Sequence, residues 1–391
     1  VHLMPEQVGF VDALDISGKL GKLNVITDGM TAKGFNWGDN YNIWSGIIGG
    51  FFLALSYFGT DQSQVGRFLT GKSVRESRLG LLMNGLVKIP MQFLILLVGA
   101  LLFSYYSFER APLIFNQVQE ERIQRSVYRD SFQLAQVRYD SFQSIKRRVA
   151  TEYVQAGGQG SVQASLLIPK LQQAQTEADA VRKQVKGWLN DRVPGGDGND
   201  TNYIFIRFVL DHLPAGLVGL LIAMIFLASW GSIAAAINSL AACSMVDLHN
   251  RFAKYPAEGE QAYRLSKWYT LGWGVFCIVV AMFTYNIGNS LIEAVNILGS
   301  LFYGVILGVF LVALFIPVIR NATAVFWGLI IGELIVLGVF FSGYFFPDRF
   351  KIGFLWLNPI GAGAVVVFSL LLSVRMGQKN PRQVTGIDKL S

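Results

Sequence analysis

Long apolar runs alternate with short polar stretches along most of this chain. Each apolar run is long enough to cross the roughly 30 Å of a bilayer's hydrocarbon core as a helix. The runs lie at about 44–66, 79–106, 213–242, 268–287, 290–317, 322–346 and 353–374. The pattern predicts an all-α membrane protein with about seven transmembrane helices, interrupted between the second and third by a long charged segment.

The first apolar run, WSGIIGGFFLALSYFGTDQSQVGR, ends in Asp61, Gln62 and Gln64 while still within reach of the membrane. Carboxylates and amides at that depth are costly in hydrocarbon and usually line a solute path or an ion site. Tyr57 lies one turn before Asp61, so a small polar solute could contact both side chains. The alternative is that Asp61 only caps the next element or pairs with Arg67.

The composition agrees with a membrane protein. Only 15% of the residues are charged and 52% are hydrophobic, whereas a soluble domain has roughly a quarter charged residues. The net charge of +7 does not indicate nucleic-acid binding, because membrane proteins concentrate Lys and Arg in cytoplasmic loops. Cys243 and Cys277 lie in apolar stretches and indicate neither a disulfide framework nor a metal cluster.

The basic residues predict the orientation of the chain. The loops 67–78 and 247–267 each contain four of them, so the positive-inside rule places both loops in the cytoplasm. The chain is thus predicted to be a multi-pass protein of the cell (plasma or inner) membrane. Its predicted segments are an extracytoplasmic loop at 1–43, two transmembrane helices at 44–106, an extracytoplasmic helical insert at 107–204, five transmembrane helices at 205–375 and a cytoplasmic tail at 376–391.

The insert has its own helical pattern. After Pro169, apolar residues recur at spacings of three and four, which is typical of one face of a helix: Leu171, Ala174, Ala178, Val181, Val185 and Trp188. The turn-rich string VPGGDGND at 193–200 ends this pattern. We expect a helical hairpin outside the membrane, which is either a structural flap or a partner-docking module.

Polar residues occur in other spans as well. Lys88 is either a snorkelling residue or part of a polar path, and Pro90 would free backbone groups for a ligand. In the third span, Ser229, Ser232 and Ser239 stand among alanines and glycines. They could allow close helix packing or supply hydroxyl oxygens to a sodium ion.

Three further polar groups, Glu293, Asn296 and Glu333, lie in the fifth and sixth spans. Each is a candidate for coupling or solute binding, and each might equally face a neighbouring helix. The three histidines are scattered, and no nucleophile–base or metal spacing occurs. The sequence therefore does not indicate an enzyme.

Several strings, taken in order, resemble the sodium:solute symporter family, which includes sodium-coupled sugar, proline and sialic-acid carriers. They are YFGTDQSQVGRFLTGKSVRESRLG, LPAGLVGLLIA, SIAAAINSLA followed by SMVDLH, and GVILGVFLVALF. The resemblance covers residues 44 to about 320 and the last two helices, but not the insert. It implies a LeuT-like fold of two inverted five-helix repeats, of which this chain resembles only the second half. We therefore expect an N-terminally truncated carrier that lacks its first repeat and does not transport alone.

The resemblance also implies site residues. The family's sodium site in the eighth core helix takes a backbone carbonyl, which falls at Ala228, and two hydroxyl residues, which fall at Gly231 and Ser232. Gly231 has no hydroxyl, so one oxygen ligand of the usual geometry is missing. The family's polar, basic and aromatic positions fall at Asp61, at Lys88 and near Tyr57. The candidate substrate-binding residues are Tyr57, Asp61, Gln62, Lys88 and Asn296.

The function that this resemblance implies is sodium-coupled secondary transport. The partners would be Na⁺, as the transported coupling ion, a small polar solute such as a sugar, amino acid or organic acid, and the lipid bilayer. The alternative is a membrane-embedded sensor or scaffold that acts through the insert. The sequence leaves the identity of the solute, the choice between Na⁺ and H⁺, and the role of the insert open.

Overall fold

The structure, a computed structural model, describes residues 2–24, 27–32, 34–253, 256–283, 291–319, 321–346 and 351–376. This part of the chain is almost entirely helical, with one two-residue hairpin, β1 (Met30–Thr31) and β2 (Gly34–Phe35). The helices are α1 (Phe10–Lys19), α2 (Ser45–Thr60), α3 (Gln62–Leu69), α4 (Val74–Phe108), α5 (Gln117–Gln124), α6 (Arg129–Gln155), α7 (Val162–Ser165), α8 (Ile168–Arg192), α9 (Ile204–His212), α10 (Ala215–Phe252), α11 (Gly259–Phe283), α12 (Leu291–Phe315), α13 (Ala322–Phe345) and α14 (Leu357–Met376).

Six described helices, α4 and α10 to α14, are long and apolar enough to cross a membrane. The chain is therefore an all-helical, multi-pass membrane protein, as predicted. The expectation of a seventh continuous span at 44–66 is wrong, because this run is divided into α2 and α3 at Asp61. The predicted tail after Met376 and the end of the run at 284–287 lie outside the described residues.

The described residues form two compact units. The first contains residues 2–24 and 82–227, and the second contains residues 27–81, 228–283 and 291–376. The first unit includes all of the helices α5 to α9, and the second includes α2, α3 and the helices α11 to α14.

The core of the first unit is built around the pair α6 and α8. The apolar stripe predicted for α8 is confirmed, since five of its positions are at most 4% exposed: Leu171, Ala174, Ala178, Val181 and Val185. The polar N-terminal segment contributes α1 to this core. Ile16 of α1 is fully buried, and the Tyr153 hydroxyl of α6 donates to Asp15 at 2.5 Å. The segment 1–43 is thus not entirely loop.

A buried carboxylate holds the two ends of the insert together. Asp200, whose side chain is 1% exposed, accepts from Arg182 Nη2 at 2.7 Å and lies 2.6 Å from Lys186 Nζ, both on α8. Its Oδ2 also accepts from the backbone N–H of Phe115 at 2.9 Å. This arrangement joins the segment before α5 to the segment after α8, and it offsets the cost of burying the charge.

Lys146 of α6 is 3% exposed, and its ammonium donates to Gln175 Oε1 at 3.2 Å. Burial lowers the pKa of Lys146 to about 8, with Arg182 adding to the lowering and Asp179 opposing it. The folded state therefore releases this proton at a lower pH than the unfolded state does. We expect the stability of the insert to rise between about pH 8 and pH 10.

Lys146→Met should stabilise the insert by about 1–3 kcal/mol at pH 7, and its advantage over the wild type should shrink as the pH approaches 10. The measurement is hydrogen–deuterium exchange of peptides from α6 and α8, comparing the two proteins at the same pH so that intrinsic exchange rates cancel. A difference between the proteins that does not change with pH would contradict the expectation.

In the second unit, the helices α12, α13 and α14 pack closely. Val305, Val336 and Val365, one from each of these helices, belong to one buried cluster. Asn358 at the start of α14 is fully buried and donates to Ser300 Oγ of α12 at 3.0 Å. In contrast, no residue in the most apolar 18-residue stretch of α10 or of α11 is buried by the described part of the chain. These two helices present apolar surface suited to lipid or to further protein.

Candidate functional site

The division between α2 and α3 follows from local chemistry at Asp61. Its backbone is extended (φ −74°, ψ 114°), so the helix cannot continue through it. Asp is a favoured N-cap because its carboxylate satisfies an unpaired N–H of the following helix. Asp61 Oδ1 accepts from the N–H of Ser63 at 2.8 Å and from its hydroxyl at 2.6 Å. The chain thus begins a new helix at the end of an apolar run.

A second helix holds the other carboxylate oxygen. The hydroxyl of Tyr303, on α12, donates to Asp61 Oδ2 at 3.0 Å. Ser56 is buried in α2 and donates to the backbone carbonyl of Tyr303 at 2.7 Å, and Thr60 donates to the carbonyl of Ser56 at 2.9 Å. The ring of Tyr57 lies 6.4 Å from that of Tyr303 at 52°. We call these five residues (Ser56, Tyr57, Thr60, Asp61 and Tyr303) the Asp61 site.

The Asp61 site combines a half-buried carboxylate with two aromatic rings. A carboxylate has about four lone-pair positions, so Asp61 can accept from a further hydroxyl or ammonium group after making its three hydrogen bonds. The last carbonyls of α2 also lack helical donors. In membrane helices, such interruptions are tolerated where they line a polar cavity or lie buried in protein. The site is therefore suited to a small solute with hydrogen-bond donors.

The sequence left two roles open for Asp61: lining a solute path, or only capping the next element or pairing with Arg67. In the structure, Asp61 is the N-cap of α3. Among the described residues it forms no ion pair with Arg67. Capping uses Oδ1, whereas Oδ2 is joined to α12 through Tyr303. Capping alone therefore does not account for the second oxygen.

The other substrate-binding candidates lie on α3, α12 and α4. Gln62 is exposed in the first turn of α3, and Asn296 is half-buried on α12. Glu293, near the start of α12, accepts from Asn40 Nδ2 at 3.3 Å. Lys88 is exposed on α4 in the first unit, and α4 continues through Pro90 without ending there.

The sodium candidates lie on α10. Ala228 and Ser232 are four residues apart and therefore share one face of the helix, so a hydroxyl stands one turn from the candidate carbonyl. Gly231 has open space around it, since an added Cβ would meet no described atom within 4 Å. No group of three or more His, Cys, Asp or Glu side chains in the described part of the chain could hold a metal ion.

Sequence reasoning missed Ser56, Thr60 and Tyr303. Ser56 and Thr60 are four residues apart in an apolar run, and this spacing places two hydroxyls on the face of α2 that meets α12. This spacing is visible in the sequence and could have indicated both residues. No local pattern indicates Tyr303, because its partner Asp61 is 242 positions away in the sequence.

Comparison with known proteins gives a consistent result. Residues 183–332 match the profile of the Sodium:solute symporter family. The chain is 30% identical over 193 residues to the Sodium/sialic acid symporter NanT of Aliivibrio fischeri, and 28% identical over 171 residues to the Sodium/sialic acid symporter SiaT of Proteus mirabilis. It is 29% identical over 162 residues to Sodium/glucose cotransporter 2 of Rattus norvegicus.

These matches cover part of each protein. The match to NanT covers 49% of this chain and 36% of NanT. The match to SiaT covers 44% of this chain and 33% of SiaT, and the match to the glucose cotransporter covers 40% of this chain and 23% of the cotransporter. A solved structure of a substrate-bound, outward-open Na⁺-coupled sialic acid symporter aligns with a TM-score of 0.55 at 18% identity, covering 94% of this chain and 61% of that one. This likeness shows the fold. The family match begins at Lys183, within α8, so the resemblance extends into the insert, contrary to expectation.

Proposed function

We propose that this chain, which belongs to the sodium:solute symporter family, forms part of a transporter that couples the entry of Na⁺ to the uptake of a small polar solute. The observation that carries the proposal is the interruption between α2 and α3. There, a carboxylate, two hydroxyls and two tyrosines gather at the end of an apolar helix. A membrane protein rarely places such groups at the end of an apolar segment unless they line a path.

The Asp61 site would take the solute. Its carboxylate accepts hydrogen bonds from hydroxyl or ammonium groups, and the rings of Tyr57 and Tyr303 offer apolar faces. Sugars and amino acids combine these properties, which supports a solute of either class or a hydroxylated organic acid. The relatives named for sialic acid and glucose fall within this range of chemistry.

The coupling ion would bind at α10. Na⁺ is a hard cation and prefers oxygen ligands, so we assign it to the carbonyl of Ala228 and the hydroxyl of Ser232. The remaining ligands would come from the first inverted repeat of the same carrier. Binding of Na⁺ would then favour one state of the alternating-access cycle, and the interruption at Asp61 would let α3 move without bending α2.

The test of the ion assignment uses two neighbouring positions. Ser232→Ala should lower the apparent affinity for Na⁺ at least about tenfold, which corresponds to about 1.4 kcal/mol. Gly231→Ser should raise it severalfold, because the added hydroxyl restores an oxygen and meets no described atom within 4 Å. The measurement is Na⁺-dependent solute uptake into proteoliposomes by protein produced from the whole reading frame.

Gly231→Ala is the matched control. It adds the same Cβ without the oxygen, so its Na⁺ dependence should remain that of the wild type. Normal coupling in Ser232→Ala, or equal effects of the serine and alanine variants at position 231, would refute the sodium assignment.

A further inference from the structure

The insert contains a cavity of about 930 Å³. Its walls come from the segment before α5, from α5, from the first half of α6 and from α9, all within the first unit. Cavities that hold small molecules are commonly about 300–1,000 Å³. This one is therefore large enough for a monosaccharide-sized ligand with its bridging waters.

The lining is polar. Ten of the fourteen lining residues carry charged or amide side chains, as four arginines, three carboxylates and three glutamines. Most ligand pockets are lined mainly by apolar groups. A lipid tail or an apolar protein segment would leave these polar groups without partners, at a cost for each. The occupant that fits is a hydrophilic molecule.

Two of the arginines already have a carboxylate partner in the wall. Arg125 Nη2 lies 3.2 Å from Glu121, and Arg207 Nε lies 2.7 Å from Asp211. Arg207 uses only one edge of its guanidinium in this pair, and its Nη1 is buried with no hydrogen-bond partner among the described residues. Because that atom is buried, a ligand in the cavity does not reach it without a rearrangement of the wall.

The third arginine, Arg110, pairs with Asp140 at 2.6 Å, a carboxylate that is not part of the lining. Arg129 stands at the start of α6 in the wall and has no ion-pair partner within the described part of the chain. The arginines of the lining and the carboxylates around them (Glu120, Glu121, Asp140 and Asp211) balance in charge, and Arg129 is the arginine whose guanidinium is open to a ligand.

The third wall carboxylate, Glu120, has no ion-pair partner among the described residues and would repel an anionic ligand. Burial raises the pKa of Glu120 above its ordinary value, although Arg207 and Arg110 draw it down. Only the charged form of Glu120 opposes an anionic ligand, and burial disfavours that form.

We propose that this cavity binds a small hydroxylated carboxylate, of the class of the sugar acids. The planar fork of a guanidinium matches a carboxylate in two parallel hydrogen bonds, and Arg129 supplies it. The glutamine amides both donate and accept, which matches ligand hydroxyls. The site is separate from the residues assigned to transport and needs no sodium.

The experiment is calorimetric titration of the 391-residue chain in detergent with glucuronate and with glucose, which differ at a single carbon that carries the carboxylate. Glucuronate should bind at least about tenfold more tightly than glucose. Arg129→Gln should weaken glucuronate binding at least fivefold, and Glu120→Gln should strengthen it. Replacing Na⁺ by choline should change nothing, and this outcome separates the cavity from the proposed transport site.

Arg148→Gln is the matched control, since Arg148 is exposed on the same helix and does not line the cavity. It should bind glucuronate like the wild type. The proposal fails if glucose and glucuronate bind equally, if neither binds, if Arg129→Gln behaves like the control, or if inorganic phosphate displaces glucuronate at a tenfold lower concentration. Circular dichroism of each variant confirms that the helices remain folded.

Discussion

Replacing Asp200 with alanine is expected to unfold the helical insert. The change removes the acceptor shared by Arg182, Lys186 and the N–H of Phe115. Breaking a buried ion pair by deleting one partner costs about 3–5 kcal/mol. Both cations retain some exposure, at 20% and 27% of their side chains, so we expect about 3 kcal/mol. That is a large share of the stability of a small domain.

Hydrogen–deuterium exchange measures this loss peptide by peptide. Peptides from α5, α6 and α8 should lose protection in Asp200→Ala, whereas peptides from α12 to α14 should not. The control is Asp191→Ala, which removes an exposed carboxylate from the end of α8. Wild-type protection in Asp200→Ala would show that the ion network does not hold the insert together.

The same network makes the insert sensitive to acid. Burial raises the pKa of Asp200, but Arg182, Lys186 and the N–H of Phe115 together hold it below its ordinary value. The stabilisation is therefore fully present above about pH 4, the range where an unfolded Asp titrates. It is lost as the pH falls below this range. Asp200→Asn should remove this part of the acid sensitivity.

Gly304→Ala is expected to destabilise the second unit. A Cβ at Gly304 would lie 2.7 Å from the Cα of Asn358 and would also contact its carbonyl oxygen. Both are backbone atoms of α14, so α12 and α14 would have to separate. Overpacking of this kind costs about 1–3 kcal/mol or more. The separation would also strain the hydrogen bond between Asn358 and Ser300.

Gly338→Ala provides the comparison, because a Cβ there meets no described atom within 4 Å. The measurement is the temperature at which each protein in detergent loses its monodisperse peak in size-exclusion chromatography. Gly304→Ala should lose it several degrees below the wild type, and Gly338→Ala should match the wild type. Equal behaviour of the two variants would mean that the helices are not held by this close approach.

The sequence predicts the features that depend on neighbouring residues. The burial of Leu171 and Val185 follows from helical spacing alone, and Asp61 stood out as a charge in an apolar run. The partners of these residues cannot be read in the same way. Tyr303 reaches Asp61 across 242 positions, and Asp200 reaches Phe115 across 85. Such pairs depend on how helices pack, which local pattern does not encode.

The interruption of the first span illustrates the same limit. Hydropathy averages over a window and places residues 44–66 in one run, because the run remains apolar up to Thr60. The competing effect is the capping preference of Asp61, which acts at a single residue. The N-terminal helix α1 was missed for a related reason. Its buried positions, Ala13, Ile16 and Ser17, are too few to make a pattern.

The packing of α1 against α6 has a consequence for synthesis. Asp15 and Tyr153 are 138 residues apart in the chain. At the usual translation speed of about 5–20 residues per second, α1 would leave the ribosome roughly 7–28 s before its partner. During that interval α6, which contributes to the buried core around Ile16, has not yet been made, and α4 must pass into the membrane. A chaperone that shields residues 10–19 would therefore be expected to raise the yield of correctly folded protein.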